Sequence, residues 1–192
     1  MEYTKAFVDA FKFTMRYEVG PKFSMEDPDV ISGKCGDKAS QKKTGYVCIA
    51  EDAGGETKFG IAKNANPDVD IKGMNLAQAL EIYYNRYWLP LSLDSFESVL
   101  AINLFDAAVN HGVGQAAKWL QRAVNTTVDG KIGPASVKAV KAVDPIIVSE
   151  AILAARENLF NTLAKNKPSQ AKFLKGWLSR LTDIKSYTKA NK

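Results

Sequence analysis

Between Gly20 and Gly60 the helical periodicity that organises the rest of this 192-residue chain breaks off. That interruption limits the fold more than any other feature. Before it, Phe7, Phe11, Met15 and Glu18 recur at spacings of four, four and three and share one helix face. Gly20-Pro21 then stops the helix. Residues 21–60 are dominated by Gly, Lys, Ser, Asp and Thr, with β-prone pieces around Tyr46-Val47-Cys48-Ile49 and Lys58-Phe59-Gly60-Ile61. This stretch reads as loops and a hairpin rather than a helix.

From Asn75 onward helical patterns return. Leu76, Leu80, Tyr83 and Tyr87 mark one helix, closed by Leu89-Pro90; Leu100, Leu104, Ala107 and Ala108 mark a second; Ala117, Leu120, Gln121 and Val124 mark a third. Pro134, after the Asp129–Gly133 turn, and Pro145, after Asp144, stand at first helical positions, and Pro168 opens the last helix. The expected class is α+β, mainly α, with a small β/loop insertion at 21–60. A chain of this size can bury a substantial core, so residues 1–192 are expected to form a single domain.

The formal charge of +5 conceals an asymmetry. Residues 1–130 hold 14 Lys/Arg against 17 Asp/Glu, whereas residues 131–192 hold 12 against 4. A basic half suits an anionic partner such as an envelope surface, and equally a solvated lysine-rich face. No zinc spacing or RNP motif is present, so nucleic acid is not expected as a partner. No stretch approaches the roughly 18 apolar residues of a membrane span. The N-terminus lacks the apolar core and cleavage site of a signal peptide.

Cys35 and Cys48 bracket a loop whose closure as a disulfide would be worth about 2–3 kcal/mol; two free thiols are the alternative. With a single His111, the cysteines fall short of a zinc set. Glu26, Asp27, Asp29, Asp68 and Asp70 lack EF-hand spacing. Neither a metal nor a cofactor is expected.

Glu18 continues an apolar stripe yet is a carboxylic acid at a helix C-terminus. Desolvation and the helix carbonyls there disfavour its charged form, which suits a general acid; a solvated Glu at a frayed helix end is the plainer reading. Asp52 and Thr57 flank Gly54-Gly55, a pair that permits a tight turn and close approach of a polymer. A glycosidase needs such a pairing, with one acid for the leaving oxygen and a second oxygen ligand for water. An acidic hairpin turn would look the same.

The segment Gly45-Tyr46-Val47, then Asp52-Ala53-Gly54-Gly55-Glu56-Thr57-Lys58-Phe59-Gly60-Ile61, resembles the signature of glycoside hydrolase family 108, which groups phage endolysins and related muramidases. Tyr17-Glu18-Val19-Gly20 resembles the helix end that carries the family's catalytic Glu. About 25 residues are inserted before the Gly-Tyr pair, and the usual Asp-Pro after Tyr is replaced by Ile49-Ala50. The insertion carries Cys35, and Cys48 lies just beyond it, which supports a disulfide pinning the loop. Tyr84–Trp88, Phe105–Gly112, Ala117–Ala123, Asp129–Pro134 and Lys175–Arg180 resemble later parts of the family and its peptidoglycan-binding region.

The resemblance implies a lysozyme-like fold in which a small β/loop lobe and a helical lobe flank a substrate cleft. Residues 1–95 would carry the catalytic motif and 96–192 the peptidoglycan-binding region. It implies an endolysin that hydrolyses the β-1,4 bond between N-acetylmuramic acid and N-acetylglucosamine and lyses the host cell. Glu18, Asp52 and Thr57 would be catalytic, and Tyr46, Gly54, Gly55, Asp106 and Asn110 would bind substrate, although Asp106 and Asn110 suit bracing between helices equally well. Trp88, Trp119 and Trp177 suit core packing better than sugar stacking, and His111 suits a cap or surface position better than a base. A monomer is expected, made in the bacterial cytoplasm and released to periplasmic peptidoglycan through a holin-made lesion. A lytic transglycosylase, a non-catalytic wall-binding or virion protein, and a toxin aimed at a rival's periplasm are the competing readings.

Overall fold

The computed structural model describes residues 2–26, 38–48 and 55–190. It is mainly helical with one small antiparallel sheet. The elements are α1 (Lys5–Glu18), α2 (Lys38–Thr44), β1 (Thr57–Lys58), β2 (Ile61–Ala62), α3 (Leu76–Tyr83), α4 (Ser98–His111), α5 (Val113–Ala123), α6 (Pro134–Lys141), α7 (Pro145–Asn166) and α8 (Leu174–Ala190). None of the described helices is long and apolar enough to cross a membrane. The chain divides into two compact units, one of residues 1–10 with 86–192 and the other of residues 11–85.

In the larger unit α4 is the central helix. It is apolar nearly all round, and Val99 through Ala108 are buried without a break, as expected of a helix covered on every side. Helices α5, α7 and α8 pack against it. Phe7, Trp88 and Phe105 form an aromatic knot with centroid separations of 5.2–5.8 Å. All three are fully buried, each contributing about 2–3 kcal/mol by apolar transfer. The local punctuation is as the sequence indicates: Asp144 caps α7 by accepting from the Ile146 amide at 2.7 Å, and Pro134 opens α6.

The smaller unit is built on the last turns of α1. Phe11 and Met15 are fully buried, and Phe11 packs edge-on to Tyr83 and Phe23 at 5.2 and 6.0 Å. Residues 57–58 and 61–62 pair antiparallel, Thr57 opposite Ala62, and Val47 adds a bridge to the outer side of Thr57. Asn75 and Gln78 cap the start of α3 reciprocally, each side chain bonded to the other's amide.

The structure corrects the sequence reading in four places. Residues 38–44 form a short helix where only loop was expected. Ala, Gln and Lys are good helix formers, and Gly45 at φ 65° stops the helix by donating its amide to Gln41 O at 2.8 Å. Lys58–Ile61 is the corner of the hairpin, with positive φ at both Phe59 (52°) and Gly60 (72°), the conformation a two-residue loop favours. The helix before Pro90 ends at Tyr83 and passes through a π turn at 84–88 into a 3-10 turn, since proline brings no N–H to continue the ladder. Pro168 opens a 3-10 segment, and α8 begins only at Leu174.

Candidate active site

The insertion separates Glu18 from Gly45 in sequence, but the fold brings the two halves together. Val19 Cγ2 lies 3.5 Å from the point where a side chain on Gly45 would begin, so the end of α1 abuts the Gly45-Tyr46 step. Glu18 is half-buried in the last turn of α1. A Cβ on Gly60 would stand 3.3 Å from Glu18 Cβ and 2.8 Å from the Tyr83 hydroxyl. The hairpin corner and the candidate acid are therefore in direct contact, and only a glycine fits between them.

The corner is held by its backbone. The Phe59 amide donates to Thr44 O at 2.7 Å, and the Tyr83 hydroxyl donates to Phe59 O at 2.9 Å. These bonds and the complete burial of the Phe59 ring over-determine a positive φ that a bulky residue otherwise avoids. Val47 and Thr57 exchange both backbone bonds, at 2.8 and 2.9 Å, placing half-buried Thr57 between Val47 and Ala62. Lys58 behind it is buried, its ammonium donating to Lys72 O at 3.2 Å; burial lowers its pKa and Asp70 opposes that shift.

Of the other expected site residues, Tyr46 is packed rather than presented to a ligand, with only 3% of its surface exposed. Its hydroxyl donates to Glu56 Oε1 at 3.2 Å, and burial, aided by the Glu56 charge, pushes its pKa up. Tyr46 thus positions a carboxylate instead of contacting sugar directly. Glu56, half-buried beside Thr57, is a residue the sequence reading passed over. The antiparallel bridge of Val47 with Thr57 puts Tyr46 and Glu56 on one face as diagonal neighbours, within reach of long side chains. Gly55 is at φ 69° and close to Lys63, where an added Cβ would meet Lys63 Cβ at 3.2 Å. Asp52, Gly54 and Cys35 lie outside the described residues; Cys48 is disulfide-bonded.

Asp106 does not line a saccharide groove. It is fully buried in the larger unit, where Arg156 Nη2 and Arg180 Nη2 each donate to it at 2.7 Å, tying α4, α7 and α8 together. Burial alone would raise its pKa, but the charges of Arg180 and Arg156 overcome this and hold the carboxyl below its usual range. The sequence could not decide between cleft and brace because both guanidinium groups are far away along the chain. Asn110, one turn on, is half-buried with Oδ1 enclosed and without a hydrogen-bond partner. His111 is half-buried rather than a surface residue. Burial, with the Arg156 charge, lowers its pKa to about 4, and its Nε2 accepts from Arg156 Nε at 3.4 Å. Trp88 and Trp119 are core residues; Trp177 is half-buried. Among the described residues no cluster of His, Cys, Asp or Glu is arranged to hold a metal.

Residues 38–112 match the family Glycosyl hydrolase 108, and residues 115–182 match the Predicted Peptidoglycan domain. The first match begins after Glu18. No curated protein matches the chain. Among solved structures, that of Brucella abortus SagA is similar, with 26% identity and a TM-score of 0.61 over 76% of this chain and 86% of the other. The helical architecture with its small sheet is the lysozyme-like α+β fold that the motifs implied. With a glycosyl hydrolase 108 region over residues 38–112 followed by a peptidoglycan region over residues 115–182, the chain is a glycoside hydrolase that degrades peptidoglycan.

Proposed function

We propose that this enzyme is a phage-type endolysin, an N-acetylmuramidase that cuts the β-1,4 bond between N-acetylmuramic acid and N-acetylglucosamine and lyses the host. Glu18 is the general acid that protonates the leaving glycosidic oxygen. Asp52, with Thr57, orients water toward the anomeric carbon or stabilises the charge developing there. The observation that carries the reading is the contact of Glu18 with the Gly60 corner, which sets a helix-end carboxyl beside the hairpin bearing Thr57. A glycosidase requires its acid and its water-handling groups within one rigid frame, and two hydrogen bonds rigidify this corner. Glu56, anchored by Tyr46, is a further carboxylate of the same sheet and assists in holding substrate.

Cys48 pairs with Cys35, pinning the insertion. The protein works as a monomer, reaches periplasmic peptidoglycan through a holin-made lesion, and adsorbs to anionic envelope surfaces through its basic C-terminal half, without nucleic acid.

The test is Glu18→Gln on purified sacculi, with mass spectrometry of the products. The expected result is a folded protein at least about 100-fold slower, the scale of a lost general acid, while wild type releases fragments with reducing muramic ends. Near-normal rates in Glu18→Gln would remove the assignment. Anhydro-muramic ends from wild type would make the enzyme a lytic transglycosylase.

A further inference from the structure

Within the region matched to the peptidoglycan domain, aromatic rings form a continuous ladder from the core to the surface. Trp119 meets the His111 ring edge-on at 4.9 Å, and His111 meets Phe160 at 5.2 Å. Phe160 stacks on Trp177 at 4.9 Å with only 18° between planes, and Trp177 leads to Phe173 at 6.0 Å and 34°. The inner rings are buried, Trp119 to 7% exposure and Phe160 to 3%, but Phe173 keeps 46% of its surface in solvent. A single exposed phenylalanine is unremarkable by itself. An exposed ring at the end of a stacked, buried series is held in place before any ligand arrives, which lowers the entropy lost on binding.

The surroundings match a sugar. Ala171, Lys172, Lys175 and Gly176, the chain neighbours of Phe173, are all exposed. A Cβ added at Gly176 would meet nothing within 4 Å, so the surface is open at that position. Lys172 Nζ lies 5.0 Å from the Phe173 centroid, showing that the ring face accepts a cation. Neither Lys172 nor Lys175 has a carboxylate partner among the described residues. A pyranose offers the complement: an apolar face of C–H bonds for the ring, a rim of hydroxyl and N-acetyl groups for water, and, in muramic residues freed of their stem peptide, a lactyl carboxylate for an ammonium.

We propose that Phe173, backed by Trp177, with Lys172 at its ring and the exposed Lys175 two residues on, is a glycan-stacking subsite that takes an N-acetylhexosamine ring of the peptidoglycan strand. The proposal deepens the assignment of residues 115–182 as a peptidoglycan domain and does not depend on Glu18 being the acid. The stack supplies affinity for any N-acetylhexosamine, and the two lysines add preference for muramic residues whose lactyl carboxylate has been freed of its stem peptide.

The test uses the full chain in the Glu18→Gln background and two probes, uncharged chitin oligosaccharides and glycan strands freed of peptides by an amidase. Binding is followed by tryptophan fluorescence, to which Trp177 contributes. Saturable binding of both probes is expected. Phe173→Ala should weaken both by about tenfold, the scale of one lost anchor, and Phe173→Trp should restore binding. Lys172→Ala with Lys175→Ala should weaken only the muramic glycan. Ile147→Ala, which removes another exposed apolar side chain, is the control and should change nothing. Wild-type affinity in Phe173→Ala, or a defect seen only on peptide-bearing sacculi, would overturn the subsite. If Glu18→Gln still degraded the strands, the chitin arm would still read binding, and only the assignment of the acid would fail.

Discussion

Glu18 and Gly60 touch: a methyl group on the glycine would stand 3.3 Å from Cβ of the glutamate and 2.8 Å from the Tyr83 hydroxyl, at a backbone φ of 72°. The candidate acid is thus positioned by the absence of a side chain, and its placement depends on an interaction that the residue pair itself does not advertise.

Gly60→Ala should accordingly combine left-handed strain with a collision against a hydroxyl that is itself hydrogen-bonded. We expect about 1–3 kcal/mol of destabilisation in urea unfolding and a fall in hydrolysis larger than the lost stability explains. Tyr83→Phe removes the bond to Phe59 O, and about 1 kcal/mol should go with that bond. Equal losses of activity in the two variants would argue that the corner does not position Glu18.

Asp106 offers a sharper contrast, because a substrate ligand and a structural brace behave differently when removed. Asp106→Asn leaves Arg156 and Arg180 buried without their counter-charge, which should cost about 3–5 kcal/mol. Thermal and urea unfolding should register nearly all of that change. An unaltered unfolding midpoint with a raised KM would reinstate Asp106 as a substrate residue.

The same cluster predicts an acid-sensitive fold. The His111 pKa is lowered from 6.5 to about 4, so between those values the unfolded chain binds the proton and the folded chain does not. Stability must therefore fall as pH drops from about 6.5 toward 4, by about 2 kcal/mol once its partly solvent-facing position is discounted. The depressed Asp106 carboxyl acts lower still, its contribution being present above the unfolded value of 3.8 and lost below it. Urea midpoints at pH 7 and pH 4.5 should differ clearly in wild type and much less in His111→Phe.

Reduction gives a fourth check, on the proposed pairing of Cys48. Opening a loop of about 13 residues should release about 3 kcal/mol of stability by chain entropy. A mild reductant should lower the melting temperature, and Cys48→Ser should abolish that response. A reductant that leaves the wild-type melting temperature unchanged would count against a stabilising loop closure.

What could be read along the chain was whatever short-range chemistry determines. The ends of α1 and the starts of α6 and α7 follow from Gly20-Pro21, Pro134 and Asp144-Pro145, because caps and helix breakers act within a few residues. The motif around Glu56-Thr57-Lys58-Phe59-Gly60 was equally visible as a string. Its geometry was not: the positive φ of Phe59 depends on Thr44 and Tyr83, neither of which any local rule would select. Helix α2 escapes a local reading because the surrounding Gly and Ser outweigh its five helix-forming Lys, Ala and Gln residues.

The sequence by itself thus determined the helical class, the interruption after α1 and the order of the chemical groups. Tertiary structure decided which groups meet: Val19 with Gly45 across the insertion, Glu18 with Gly60, and Asp106 with two arginines instead of a sugar. The physical reason is range. Propensity and capping are settled by neighbouring residues, whereas burial, charge pairing and close backbone approach exist only once distant segments have packed together.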